Sequence, residues 1–141
     1  MSDVAAVAAD LDRFRASALD AHRGAAAARR LALDLDRRRE VMIRRDDESR
    51  ARHTDDVWSS VAASRSRAEL VFHVGGWLQR SAGALRDTTM ALELEARRLD
   101  SLAWSYGRQA DVAEEELVRA TASSPDQAAL TRSVSSTSPA G

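Results

Sequence analysis

Residues 78–110 decide the fold, and they read LQRSAGALRDTTMALELEARRLDSLAWSYGRQA. Large apolar residues recur in this stretch every seven positions, at Leu78, Leu85, Leu92 and Leu99. Small residues recur with the same period between them, at Ala82, Thr89, Ala96, Ala103 and Ala110. Such a repeat places its residues on one face of an α-helix and is typical of helices that pack as in coiled coils. We therefore predict a long helix whose leucine seam is its interface with another helix.

The repeat extends in both directions from this stretch. It runs back to Val57 and Val61 and forward to Ala120, which predicts a helix over residues 57–120. It keeps its phase across Gly75 and Gly76, although glycine costs about 1 kcal/mol in a helix interior. The unbroken phase favours one long helix, at most kinked at 75–76, and a loop there is the alternative.

A second seven-residue repeat lies nearer the N-terminus. Its members are Val4, Val7, Leu11, Phe14, Ala18, Ala21, Ala25, Ala28, Ala32, Leu35, Arg39 and Met42. This repeat predicts a helix over residues 3–45. Residues 46–56 contain no large apolar side chain, so we expect the turn there, with Asp55 or Asp56 capping the next helix.

The expected fold is an all-α, antiparallel two-helix hairpin over residues 1–120. Because the second helix is the longer, it should overhang the first by about 30 Å, with residues 102–120 left unmatched. Both prolines, Pro125 and Pro139, lie in a Ser/Thr-rich stretch, so residues 121–141 are expected to form a disordered tail.

The composition excludes several classes of protein. The chain has 21 basic residues, all arginine, and 22 acidic ones, and this balance argues against binding to nucleic acid. It has no cysteine, which excludes disulfides and thiol chemistry. It has no apolar run of membrane-spanning length and no signal-peptide pattern at the N-terminus, so we expect no stable membrane insertion.

We find no residue pattern that indicates catalysis. His22, His53 and His73 do not pair at metal-ligand spacing, and no phosphate-binding or nucleophile motif is present. We therefore expect no catalytic, cofactor-binding or metal-binding residue, and no enzymatic activity.

Aromatic residues off the main seam are the best candidates for function. Trp77 and Trp104 fall outside it, where a tryptophan is either packed locally or presented to a partner. Trp104 and Tyr106, in the expected overhang, are the candidate partner contacts.

The segment Trp58-Ser59-Ser60, at the start of the second predicted helix, resembles a known motif. It is similar to the Trp-x-Gly turn of the WXG-motif helical-hairpin family of type VII (ESX) secretion in actinobacteria. The resemblance covers residues 4–111, with Ser60 in place of the motif glycine. The family's export signal places an acid four residues after a tyrosine. Here Tyr106 is followed by Asp111, one residue beyond that spacing.

The resemblance implies a non-enzymatic protein that forms a homodimer or heterodimer with another helical hairpin. It also implies a secretion ATPase as a further partner, and export without a cleaved signal peptide. The alternative is a coiled-coil adaptor or a chaperone-like partner of a secreted protein that stays in the cytoplasm.

Overall fold

The computed structural model describes residues 3–52 and 60–123. Two long helices, α1 (Val4–Arg52) and α2 (Val61–Ala122), pack against each other as an antiparallel hairpin. The expected all-α hairpin is therefore confirmed. Asp3 caps α1, because its Oδ1 atom accepts a hydrogen bond from the backbone N–H of Ala5 at 3.1 Å.

The first helix is longer than predicted. Residues 46–52, which were expected to form the turn, are the last turns of α1. Asp46 lies on the side of α1 that faces α2, with its side chain only 13% exposed, and it forms an ion pair with Arg50 at 3.1 Å. A Cβ atom added to Gly75 would come within 3.4 Å of the Asp46 carboxylate. A glycine on α2 thus leaves space for a polar residue, so the helix continues without a large apolar side chain.

The second helix begins later than predicted, and a different residue caps it. Ser60 precedes α2, and its Oγ atom accepts a hydrogen bond from the N–H of Ala63 at 3.1 Å. This is the N-cap geometry that the sequence analysis assigned to Asp55 or Asp56, which lie outside the described residues.

The far end of α2 also extends beyond its predicted boundary, into the first residues of the expected tail. Residues 121 and 122 are helical, and the Thr121 hydroxyl donates to the carbonyl of Leu117 at 2.9 Å. The rest of the expected tail, from 124 onward, lies outside the described residues.

The described residues divide into two packing units, and both helices contribute to each. Unit 1 holds residues 3–23 and 99–123, and unit 2 holds residues 24–52 and 60–98. In unit 1, Leu11 packs with Ala110 and Ala113, and Phe14 and Leu117 lie against this cluster. In unit 2, Met42 lies across a cleft from Leu78 and Ala82.

The predicted overhang at residues 102–120 is wrong. Ala103, Ala110 and Ala113 are buried, because the start of α1 packs on the end of α2. Most of the surplus length of α2 lies instead at its beginning. Asp46 lies beside Gly75 and α1 continues for six more residues to Arg52, so residues 61–68 extend about 12 Å beyond the last described residue of α1.

The glycines of α2 do not interrupt it. Gly75, Gly76 and Gly107 are all helical, which excludes the loop alternative at 75–76. None of them has a positive φ angle. Neither described helix has an apolar stretch long enough to cross a membrane.

Candidate interaction surface

The buried core of the hairpin is built mainly from alanine. Ten hydrophobic residues are buried among those the structure describes, namely Val7, Leu11 and eight alanines. Ala25 and Ala96 are the most enclosed, each with 1% of its surface exposed. By contrast, sixteen large hydrophobic side chains are exposed. Two helices meeting along an alanine seam lie close together, and the larger side chains then project from the flanks.

The four seam leucines occupy the edges of this interface. These leucines are all half-buried. The alanines of the small-residue repeat are buried, namely Ala82, Ala96, Ala103 and Ala110. The interface therefore includes both repeats, with the alanines at its centre and the leucines at its edges.

The residues that resemble the family's turn motif are only partly described. Trp58 and Ser59 lie outside the described residues, and Ser60 is the helix cap. The Ser60 side chain supplies the oxygen that accepts this hydrogen bond, and a glycine at the same position would have no side-chain acceptor.

The three candidate contacts near residue 106 do not share one environment. Trp104 is 70% exposed, and the Arg108 guanidinium lies 6.0 Å from the centre of its ring, within cation–π range. Tyr106 is half-buried on the seam side of α2, and Asp111 is exposed. Tyr106 and Asp111 are five residues apart, which rotates them by about 140° around the helix. Of these three residues, Trp104 is therefore the one apolar anchor available to a partner.

Unit 2 carries exposed apolar groups that the sequence analysis did not single out. An open cleft of about 470 Å³ is lined by Leu33 of α1 and by Thr89 and Glu93 of α2. A second cleft, of about 310 Å³, is lined by Ile43 and Gly83 among others. Thr89 belongs to a seven-residue seam, whereas Leu33, Ile43 and Gly83 lie off the seams, so the repeat gives no signal for these three.

The beginning of α2 presents its seam side without cover from a described residue of α1. Residues 61–70 are exposed except Ala63 and Arg67, which are half-buried. An open cleft of about 420 Å³ lies there, lined by Ser64, Arg67, Ala68, Val71 and Phe72.

Most ion pairs between the described residues join exposed side chains. One ion pair joins the helices of unit 1, with Arg15 Nη2 and Glu114 Oε2 separated by 3.0 Å and both side chains about half exposed. Such exposed pairs contribute about 0–1 kcal/mol. Two hydrogen bonds from the Arg98 guanidinium, at 2.7 and 2.8 Å, hold the pKa of Glu95 below its ordinary value.

A chemical site is not evident in the described part of the chain. Residues 3–52 and 60–123 contain no group of three or more His, Asp or Glu side chains that could hold a metal ion. They also contain no buried side-chain polar atom without a hydrogen-bond partner. The arrangement offers apolar and helical surface, which suits binding to another protein.

Comparison with known proteins adds no relative to this description. No protein-family model, no curated protein and no solved structure matches the chain.

Proposed function

We propose that this chain is a non-enzymatic helical hairpin that acts by binding another helical chain. The observation that carries the proposal is the distribution of apolar residues. Alanines fill the buried core, while sixteen large hydrophobic side chains remain exposed on the described residues. Exposed apolar side chains are normal when single, but extensive apolar surface marks an interaction site.

Trp104 shows how much such a residue can contribute to binding. A tryptophan buries about 200 Å² when enclosed, and 70% of Trp104 is exposed in the hairpin. At about 25 cal/mol per Å², covering the exposed part contributes up to about 3.5 kcal/mol. That free energy corresponds to an affinity change of about 400-fold. Trp104 is thus the strongest single candidate for an interface anchor in unit 1.

Type VII secretion is the biological setting that we propose for this binding. The hairpin fold and the Trp58-Ser59-Ser60 segment before α2 support it, through the resemblance described above. In this setting the partner is another helical hairpin, in a homodimer or a heterodimer, and a secretion ATPase is the second partner. The protein would leave the cell without a cleaved signal peptide.

A cytoplasmic coiled-coil adaptor is the second candidate, and one observation favours it. Tyr106 is half-buried on the seam side of α2, and Asp111 lies about 140° around the helix from it. A tyrosine and an acid in this arrangement do not present one exposed recognition face. An adaptor or chaperone-like partner of a secreted protein needs no such face.

Two measurements test the proposal and separate its settings. Affinity capture from the native host with the full chain should recover a helical protein, and light scattering should show a defined complex with it after purification. Trp104→Ala should weaken that complex, and Gln109→Ala, at an exposed polar position of the same helix, serves as the control. A strict monomer that captures nothing, and that behaves like its Trp104→Ala variant, would overturn the binding function.

Fractionation of host cultures decides the setting. Accumulation in the culture filtrate supports the type VII role, provided that a cytoplasmic marker protein stays in the cell pellet. Exclusive retention in the pellet, together with a confirmed helical partner, supports the adaptor.

A further inference from the structure

The two clefts of unit 2 open on the same side of its helix pair. Six of their lining residues form one row on each helix, namely Leu33, Asp36 and Ile43 on α1 and Arg86, Glu93 and Arg97 on α2. Each row contains residues of both clefts, and its members are three, four or seven positions apart, so they share one side of their helix. We call this side of unit 2, formed by the two rows, the cleft face.

Large apolar side chains on the cleft face are exposed on both helices. Leu33 is 59% exposed and Ile43 is 41% exposed on α1. Met90 lies between Arg86 and Glu93 in the row of α2 and is 58% exposed. An apolar surface shared by two neighbouring helices suits contact with a second helical surface.

Two opposite charges of the cleft face have no counterion on the hairpin. Arg86 and Glu93 are exposed, and neither forms an ion pair within residues 3–52 and 60–123. They are seven residues apart, which puts them on one side of α2 but about 10 Å apart along its axis. This separation is too large for them to pair with each other, so both charges are available to a partner.

A second copy of α2 that crosses the first in antiparallel orientation satisfies both charges. A twofold axis between residues 89 and 90 places each residue before the axis opposite the residue equally far beyond it. Arg86 of each copy then faces the partner's Glu93, and the two Met90 side chains meet at the axis. A parallel pairing in register would instead put Arg86 opposite the partner's Arg86. Charge complementarity therefore selects the antiparallel arrangement.

The cleft face is large enough for a weak dimer. Residues 79–97 span about 27 Å of α2, and two helices packed along an alanine seam are together about 18 Å wide. The face therefore has a footprint of about 500 Å² on each copy, or about 1,000 Å² in total, which is the lower end of specific interfaces. We expect an equilibrium between monomer and dimer that depends on concentration.

We infer that the cleft face of unit 2 is the docking site for the same face of a second copy of this chain. The two α2 helices run antiparallel, with Met90 at the twofold axis and Arg86 paired with the partner's Glu93. This inference rests on the proposed helix-binding function and gives it a location and a partner. It does not involve Trp104, which lies in unit 1.

Charge reversal in the full chain tests the pairing. Arg86→Glu places two acids opposite each other and Glu93→Arg places two arginines there, so each should raise the dimer dissociation constant by about tenfold or more. The double variant restores opposite charges and should recover the native dissociation constant. Asp87→Arg is the control, because Asp87 is exposed and lies about 100° around the helix from Arg86. Analytical ultracentrifugation over a concentration series measures the dimer, and circular dichroism checks that each variant stays helical.

A single introduced cysteine locates the axis, because the chain has none of its own. Met90→Cys should give a disulfide-linked dimer under mild oxidation, since residues facing each other at the axis come within the roughly 7 Å Cα separation that a disulfide requires. Ala91→Cys is the matched control, because Ala91 is exposed but turned about 100° away, and it should not cross-link. Adding Arg86→Glu to Met90→Cys should suppress the cross-link.

Several outcomes would overturn the inference. Failure of the double charge reversal to restore the dimer, or equal cross-linking through Met90→Cys and Ala91→Cys, removes the antiparallel register. A monomeric chain that captures a helical protein only while Arg86 and Glu93 are native identifies another protein as the occupant. A monomeric Met90→Cys chain whose thiol resists alkylation identifies a segment of the chain itself.

Failure here is distinguishable from failure of the proposed function. If the full chain is monomeric but a captured native partner still binds through Trp104, only the docking of a second copy is refuted. If the chain neither dimerises nor captures a helical protein, the proposed function fails as well.

Discussion

Replacing glycines of α2 with alanine should stabilise the hairpin, and the structure allows the gain to be worked out. A Cβ atom added at Gly83 or Gly107 meets no other atom within 4 Å, and neither glycine has a positive φ angle. Alanine is favoured over glycine by about 1 kcal/mol in a helix interior. Each substitution should therefore raise the free energy of unfolding by about 1 kcal/mol and the Tm by about 4 °C.

The two sites should act independently. They are 24 residues apart in sequence and belong to different packing units, so the double variant should gain about 2 kcal/mol. At Gly75 the added Cβ would lie 3.4 Å from the Asp46 carboxylate and 3.7 Å from the Arg50 guanidinium. Crowding of this ion pair should offset part of the helix gain, so Gly75→Ala should stabilise less than Gly83→Ala.

Circular dichroism at 222 nm, during thermal and urea unfolding, measures these differences. Ala84→Gly is the matched control, because Ala84 is an exposed neighbour in the same helix and should lose about 1 kcal/mol. A lower midpoint for Gly107→Ala would refute the uninterrupted helix through residue 107, and with it the continuous α2.

Ala96→Leu should destabilise the hairpin by about 1–3 kcal/mol in urea titration, because the alanine is 1% exposed and the larger side chain overfills the seam. Leu92→Ala should cost about 1–2 kcal/mol, less than for a fully buried leucine, while the exposed Glu93→Ala should cost little; equal costs would contradict the register. Arg98 lowers the pKa of Glu95 below its unfolded value, so their pair should stabilise the helix above the unfolded pKa and lose this effect as the pH falls through the folded pKa. Arg98→Ala should return the pKa of Glu95 to its ordinary range in an NMR titration, and an unchanged pKa would contradict the hydrogen bonds between the two side chains.

The candidate surface was only partly predictable from the sequence. Trp104 was expected to lie off the seam, and its exposure agrees with that position. Tyr106 was grouped with it as a partner contact, but it is half-buried on the seam side. Leu33, Ile43 and Phe72 were not singled out, because periodicity identifies the buried stripe and says little about the remaining faces.

The sequence by itself determined the helices and their pairing as a hairpin. Seven-residue spacing is a local property, so the repeats around Leu11 and Leu85 identify the packing faces without knowledge of the partner. The absence of proline before residue 125 and the abundance of alanine support helix formation along the whole length.

Only the tertiary structure decided the register in which the two helices meet. An alternating seam of leucine and alanine repeats every seven residues, so several registers match the same pattern. The register chosen puts Leu11 against Ala110 and Ala113, and brings Asp46 beside Gly75. These contacts join residues far apart in sequence. The packing energy of one register relative to another therefore cannot be derived from the residues of one helix alone. The register therefore places most of the surplus of α2 at its beginning and not at its end, because the position of that surplus depends on pairing and not on helix propensity.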